Sequence, residues 1–378
     1  MNKLINIAMS ILFITSSLLL AQSKTDWSFD GQVQLRSELD GRDFSNKTYP
    51  TSFASMRTRL GLNANISDRI YLYVQAQDSR VFGVEPTVTS SISNLDLHQG
   101  YVRLINPLDL PFSVQAGRFE MIYGTERFLG AGNWTYVGRS YDGVRFSYSG
   151  LIKADVFALS TYQGTAMVTS ASGSATGSTA YSYPSKSDSG SSIYGMWLNS
   201  SSLIQNNVID LFAYYDIARK QALDHFDSVS TTTIGLNHRG EYGPFSSLTE
   251  LGLQNGKRGA KDVNAYLVSI QGFYKYEDVK LGLGVDLVSG TKPSDSTKVN
   301  TFYSSYATSH RFYGFMDYFY KTPSASYMLG IDDYYITSLY NPKDCDFTFG
   351  ANYHMLSSNV KNKVGMSSLG RELDLTVS

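Results

Sequence analysis

From residue 27 onward the chain repeats one pattern: about ten residues of alternating apolar and polar side chains, closed by a turn or a loop. In segment 27–39, Trp27, Phe29, Val33 and Leu35 fall on one parity, and Asp30, Gln32, Gln34, Arg36 and Glu38 on the other. Successive side chains of an extended strand point to opposite faces, so this alternation predicts a strand between two different media. The rhythm returns at 53–66, 70–77, 95–105, 112–121, 139–149, 151–162, 190–199, 208–217, 231–241, 245–255, 264–274, 279–289, 333–340, 346–356 and 370–378, about sixteen strands in all. Each is close to the nine to eleven residues that a tilted strand needs to cross a bilayer. Strands of globular proteins are usually shorter.

The connections alternate as well. Short turns at 67–69, 106–111, 149–151, 242–244, 277–278 and 341–344 contrast with long loops at 40–52, 80–94, 122–138, 163–189 and 290–331. Membrane barrels place short turns on one side and long loops on the other, and a soluble sandwich has no reason to do so. The expected fold is an all-β transmembrane antiparallel barrel. Aromatic residues make up 13% of the chain, with 28 Tyr and 20 Phe, against a hydrophobic content of only 42%. Tyr214, Tyr215, Tyr242, Tyr274, Tyr276, Tyr334 and Tyr335 fall near strand ends, where aromatic girdles meet the membrane interface.

Residues 1–21 carry a positive start at Lys3, an apolar run from 4 to 20 and the small Ala21 before Gln22, the pattern of a secretory signal peptide. Residues 22–378 then form the barrel domain, and the expected address is the outer membrane of a Gram-negative-type bacterium. The barrel itself meets outer-membrane lipid. The single Cys345 closes no internal disulfide. A net charge of −1 excludes a nucleic-acid binder built on gross basicity, so any useful field is local.

If one parity faces lipid, the other lines a lumen. That polar parity carries Arg36, Glu38, Arg57, Arg59, Arg103 and Arg145, which makes them candidates for pore lining and solute contact. Segment 117–148 is dense in charge for a chain with 17% charged residues, and it adds Arg118, Glu126, Arg127, Arg139 and Asp142; Arg371 joins them near the C-terminus. Guanidinium groups stay charged and pair with carboxylates as a fork, and rings of charged side chains set selectivity in pores. The same arginines could instead pair with Glu38, Glu120, Glu126, Asp142, Glu372 and Asp374 and merely stiffen the wall. Arg118 and Asp142 fall on the apolar parity, which implies a bulge or a position beyond the hydrocarbon band. His98, His225, His238, His310 and His354 are scattered without metal-ligand spacing, and no serine elbow or calcium loop is present, so the reading is non-enzymatic, with no metal and no cofactor. A plugged barrel whose outer loops make it a receptor or adhesin is the alternative to a channel.

Three blocks carry a family likeness. Gly117, Arg118, Tyr123, Gly124, Glu126, Arg127, Trp134, Gly138, Arg139, Ser140, Tyr141, Asp142, Val144 and Arg145 form the first. Gly290, Thr301, Phe302 and the run 306–317 form the second, with Ala307 and Ser309 where the family usually has Pro and Asn; 369–375 forms the third. Together they resemble the alginate-export family of outer-membrane porins. The resemblance implies an eighteen-stranded barrel with an electropositive lumen that lets an anionic polysaccharide leave the cell. Against eighteen strands, the count of about sixteen and the non-aromatic end at Ser378 lead to the expectation that a C-terminal hairpin is missing.

Overall fold

The computed structural model describes residues 25–42, 47, 49–84, 94–163, 190–201, 204–218, 228–319 and 323–378. The expected signal peptide at 1–21 and the loop at 164–189 lie outside the described residues. Seventeen strands are assigned to one sheet, and all pairings given are antiparallel except one. The chain divides into two compact units, Met1–Glu120 with Val144–Tyr148, and Met121–Gly143 with Ser149–Ser378.

The first unit holds β1 (Asp26–Asp40), β2 (Thr51–Ser67), β3 (Ile70–Val81), β4 (Leu95–Ile105) and β5 (Phe112–Phe119), together with most of β6 (Tyr141–Ser149). Sequential neighbours pair from β1 to β5. In β2 the side chains of Ser55, Arg57 and Arg59 are buried while Leu60 is 68% exposed, so the hydrophobic side is the open one. That inversion is what a strand facing lipid requires.

The second unit holds β7 (Lys153–Gln163), β8 (Gly190–Asn199), β9 (Asn207–Ala218), β10 (Val229–Tyr242), β11 (Phe245–Arg258), β12 (Lys261–Tyr276), β13 (Val279–Val288), β14 (Lys298–Val299), β15 (Ile331–Tyr340), β16 (Phe349–Ser357) and β17 (Ser368–Val377). Adjacent strands pair as hairpins, except that β13 pairs β15 and the two-residue β14 lies parallel to β12. The sixteen long strands coincide with the sixteen segments of alternation; β14 is too short to show any period. On the turn side, β10 and β11 meet at Tyr242↔Phe245 and β12 and β13 at Tyr276↔Val279. Gly243, at φ +63, supplies the left-handed residue that the first of these turns needs.

The apolar core of this unit sits beneath its loops. Segment 121–143 and parts of segment 289–330 lie against the polar-parity face of β7–β13, where Trp197 stacks on Phe212 at 4.4 Å, Tyr123 on Trp197 at 4.5 Å, and Phe128 lies 4.6 Å from Phe212. Phe128, Leu129, Phe302, Leu267 and Ile331 are fully buried there. The expected girdle is corrected at two positions. Tyr214 is 4% exposed and Tyr335 stacks on His354 at 5.1 Å, so both belong to the inner parity, whereas Tyr215, Tyr242, Tyr274, Tyr276 and Tyr334 are exposed.

Candidate functional site

In the first unit the polar parity of β1 to β6 carries a row of guanidinium groups. Strand register decides their spacing: Gln34 faces Arg57 and Gln32 faces Arg59 across β1 and β2. Arg57, 2% exposed, donates to Gln34 Oε1 at 2.5 Å and to Gln32 Oε1 at 3.2 Å. Arg59 donates to Gln77 Oε1 at 2.6 Å and to Glu120 Oε1 at 3.1 Å, and Glu120 also meets His98 Nε2 at 2.7 Å. Arg103 and Arg145 both donate to Gln115 Oε1 at 2.8 Å. Arg103 lies over Tyr71 and Tyr101, and Arg145 over Phe119. Arg36 pairs with Glu38. A carboxamide oxygen fixes a guanidinium without cancelling its charge, which a carboxylate would do. Arg103, held by Gln115 and two rings, has no carboxylate partner among the described residues.

The second unit contains a loop wedge pinned by Arg127. This side chain is 1% exposed and reaches Glu250 Oε2 from Nε at 2.7 Å, Asp286 Oδ2 from Nη1 at 3.1 Å and Ser269 Oγ from Nη2 at 3.1 Å. Its guanidinium lies 3.9 Å from the Phe312 ring centroid, and Tyr313 Oη accepts from it at 3.3 Å. Burial opposes the charge of Arg127, but Asp286 and Glu250 outweigh it and hold the group well above its ordinary pKa. Burial first, and then the neighbouring Asp216, pushes the Tyr306 phenol upward, so it stays a donor and bonds Asp216 Oδ1 at 2.9 Å.

Glu126 turns the loop. It adopts φ +69, donates its amide to Tyr123 O, and accepts at Oε2 from Ala131 N at 3.1 Å and from Thr308 Oγ1 at 2.5 Å. Arg311 pairs with its other oxygen at 2.9 Å. Arg139 Nη1 donates to three carbonyls, Gly130 at 2.9 Å, Tyr306 at 2.6 Å and Ala307 at 3.3 Å. It too has no carboxylate partner among the described residues. Trp134 stacks on His310 at 3.4 Å, and Asp317 accepts from both rings. Trp134, Arg139, Ser304, Ser305 and Ser309 line a polar cavity of about 250 Å³ between the two loops.

Sequence reasoning missed the acidic character of this unit's inner parity. Glu250, Asp286, Asp333, Glu372 and Asp374 are all buried, and His354 sits between Asp333 at 2.8 Å and Asp374 at 3.5 Å. Glu372 Oε1 accepts from Met316 N at 2.6 Å and Asp374 Oδ2 from Phe315 N at 3.2 Å, so β17 holds the second loop by its backbone. The alternation of Glu372 and Asp374 with Leu373 and Leu375 was the available signal. No group of three or more His, Cys, Asp or Glu among the described residues is arranged to hold a metal.

The predicted residues therefore separate. The structure gathers Arg57, Arg59, Arg103 and Arg145 on one face of the first unit, with the Arg36–Glu38 pair on the same parity. It gathers Glu126, Arg127 and Arg139 in the wedge of the second. Three candidates stand apart on the other parity. Arg118 donates to Leu97 O at 3.4 Å, Asp142 is exposed one residue inside the start of β6, and Arg371 is exposed in β17 opposite Met355. The β4–β5 register runs unbroken as far as Arg118, and the shift nearest to it lies in the β3–β4 pairing, where His98 is the additional residue. Arg118 and Asp142 stand one residue inside the ends of β5 and β6.

Comparison with known proteins follows the same lines. The family model for alginate export matches residues 26–321. No curated relative matches the sequence. Among solved structures the chain is similar to OccAB4 of Acinetobacter baumannii, with a TM-score of 0.57 at 13% identity over 95% of this chain and 88% of that one. It is similar to OccK8 (OprE) of Pseudomonas aeruginosa, with a TM-score of 0.58 at 11% identity over 94% and 89%. A BenF-like porin from Pseudomonas fluorescens gives a TM-score of 0.54 at 12% identity over 94% and 87%. At these identities the likeness is one of fold, that of the outer-membrane β-barrel.

Proposed function

The chain belongs to the alginate export family and is an outer-membrane, porin-type channel, and we propose that it passes anionic or polar solutes by passive diffusion, an alginate-like acidic polysaccharide among them. The observation that carries this reading is the way Arg103 is held by the carboxamide of Gln115 and the rings of Tyr71 and Tyr101, with no carboxylate partner among the described residues. Oriented on a neutral acceptor, it keeps a positive potential on the strand face that it shares with Arg57 and Arg145. An anion moving past exchanges part of its hydration for successive guanidinium contacts, and no single contact is tight enough to trap it. In the other unit, the wedge pinned by Arg127 covers part of that unit's inner face, while Arg139, which has no carboxylate partner among the described residues, adds a cation beside Trp134 and three serine hydroxyls. Arg127 itself, saturated by Glu250 and Asp286, is an anchor and not a solute contact.

The test is the reversal potential of the purified channel in a planar bilayer under a salt gradient, with oligouronate and neutral monosaccharide as competitors. Anion preference and block by the uronate support the proposal. Cation preference, or equal block by both sugars, overturns it.

A further inference from the structure

A second cavity, of about 500 Å³, lies among the long loops of the second unit, apart from the wedge. Three stretches build it: Thr291 to Asp295, Tyr327 to Leu329, and Asn362 to Val364 of the β16–β17 loop. Their backbones are tied together. Thr291 N donates to Met328 O at 2.8 Å, Val360 N to Leu329 O at 3.0 Å, and Gly290 N to Asn359 Oδ1 at 3.2 Å. Within the third stretch Asn362 N donates to Met366 O at 2.9 Å, and Gly365 N to Asn362 O at 3.0 Å.

Two features set this cavity apart from a chance gap between loops. Tyr327 and Met328 are consecutive non-glycine residues at φ +51 and +67, a strained conformation that persists where the surroundings over-determine it. The strain presents the ring of Tyr327, 82% exposed, beside Pro293, Leu329 and the 77% exposed Val364. The second feature is charge. Lys292 and Lys363 both line the cavity and neither forms an ion pair among the described residues. The one carboxylate present, Asp295, turns Oδ1 to the amides of Thr297 at 3.1 Å and Lys298 at 2.9 Å, which hold its pKa below the ordinary value. An apolar wall with two ammonium groups and a preoccupied carboxylate recognises an anion carrying an apolar body, in a volume typical of small-molecule sites.

We propose that this cavity is a binding site for a small amphipathic carboxylate, a ring or short chain bearing one carboxylate, held by Lys292 and Lys363 and packed against Tyr327 and Val364. It is separate from the guanidinium row, and its occupancy does not depend on what the channel conducts.

The experiment uses the full-length protein in phosphatidylcholine nanodiscs, with 4-fluorobenzoate as the probe and fluorine NMR as the readout. Saturable binding is expected, weakened at least tenfold in K292Q/K363Q and several-fold in V364S. Both variants change exposed loop side chains, and unaltered single-channel conductance shows that the barrel is intact. Neutral 4-fluorobenzamide and inorganic phosphate are each expected to compete at least tenfold more weakly than 4-fluorobenzoate. Unchanged affinity in the lysine variant overturns the proposal, as does equal competition by the amide, which removes the role of charge, or by phosphate, which removes the role of the apolar wall. Loss of anion preference in the channel with retained probe binding refutes the conduction reading alone.

Discussion

Replacing Arg127 by methionine isolates the anchor of the wedge. The change removes the one cation paired with Glu250 and Asp286 among the described residues, both almost fully buried at 0% and 2% exposure, and leaves two carboxylates buried without it. Breaking a buried pair by deleting one partner costs about 3–5 kcal/mol. The contact with Phe312, worth up to about 2 kcal/mol when desolvated, is lost in the same step and lies largely within that figure. The remaining ties between the loops, such as Gly130 N to Tyr306 O and Thr308 N to Glu126 O, contribute about 1 kcal/mol each. They join loop to loop. Of the wedge's side-chain hydrogen bonds to β11–β13 among the described residues, only those of neutral donors, such as Thr125 Oγ1 to Glu250, remain. Arg127→Met should therefore loosen the wedge from these strands while leaving it folded on segment 306–308 and tied to β7 and β9 through Tyr123–Asp155 and Tyr306–Asp216. Urea unfolding in lipid vesicles should show a loss of about 3–5 kcal/mol, and planar-bilayer traces should show noisier open current. The companion variant Arg127→Met/Glu250→Gln/Asp286→Asn replaces the stranded charges by neutral isosteres and should recover more than half of the loss. A single variant within about 1 kcal/mol of the parent, or a triple variant no better than the single, refutes the reasoning.

Three further outcomes follow from other parts of the molecule. Arg103→Gln/Arg145→Gln should lower the anion-to-cation permeability ratio by at least about fivefold, since each charge contributes on the order of 0.5–1 kcal/mol to a passing ion in water, about 1–2 kcal/mol for the two; an unmoved reversal potential would show that the row does not face the path. Gly117→Ala should destabilise the protein by more than about 1 kcal/mol, because at φ +132 an added Cβ would stand 2.3 Å from the carbonyl oxygen of Gly100, and a lower temperature for the heat-induced gel shift would report it. The outer-loop carboxylate of Asp295 accepts from backbone amides that hold its pKa below the ordinary range, so its contribution to loop order is complete above the unfolded pKa and disappears as pH falls through the folded one. The protection factors of the Thr297 and Lys298 amides, corrected for the intrinsic slowing of exchange in acid, should therefore fall at acid pH in the parent and show no such step in Asp295→Asn.

The strands were legible because each must satisfy two solvents at once, which writes period two into every crossing. β2 shows how far this goes: Arg57 and Arg59 were placed on the polar parity from alternation with Met56, Thr58 and Leu60, and both are buried there. Arg371 was legible by the same rule, since it shares its parity with Leu373 and Leu375, yet its position in a charged motif drew it into the candidate site. What alternation does not encode is partnership across the chain. Arg127 meets Glu250 and Asp286 at separations of 123 and 159 residues, and no local period links a loop arginine to strands that far away. The acidic inner parity of the second unit escaped notice for a related reason: Glu250, Asp286 and Asp333 are single residues in three different strands, and only the sheet register of β11 through β15 brings them to one place.

The long reach of these ties also imposes a schedule. Segment 121–143 is synthesised early, but Glu126 finds Thr308 only 182 residues later, and Arg127 finds Asp286 only when β13 has taken its register. Contacts of such separation form late, because the intervening chain must first be ordered. The early loop therefore waits, charged and unseated, while the wall that receives it is still being laid down. Its docking is a finishing step, and a chain stalled before β13 would lack the carboxylate of Asp286 that seats the wedge.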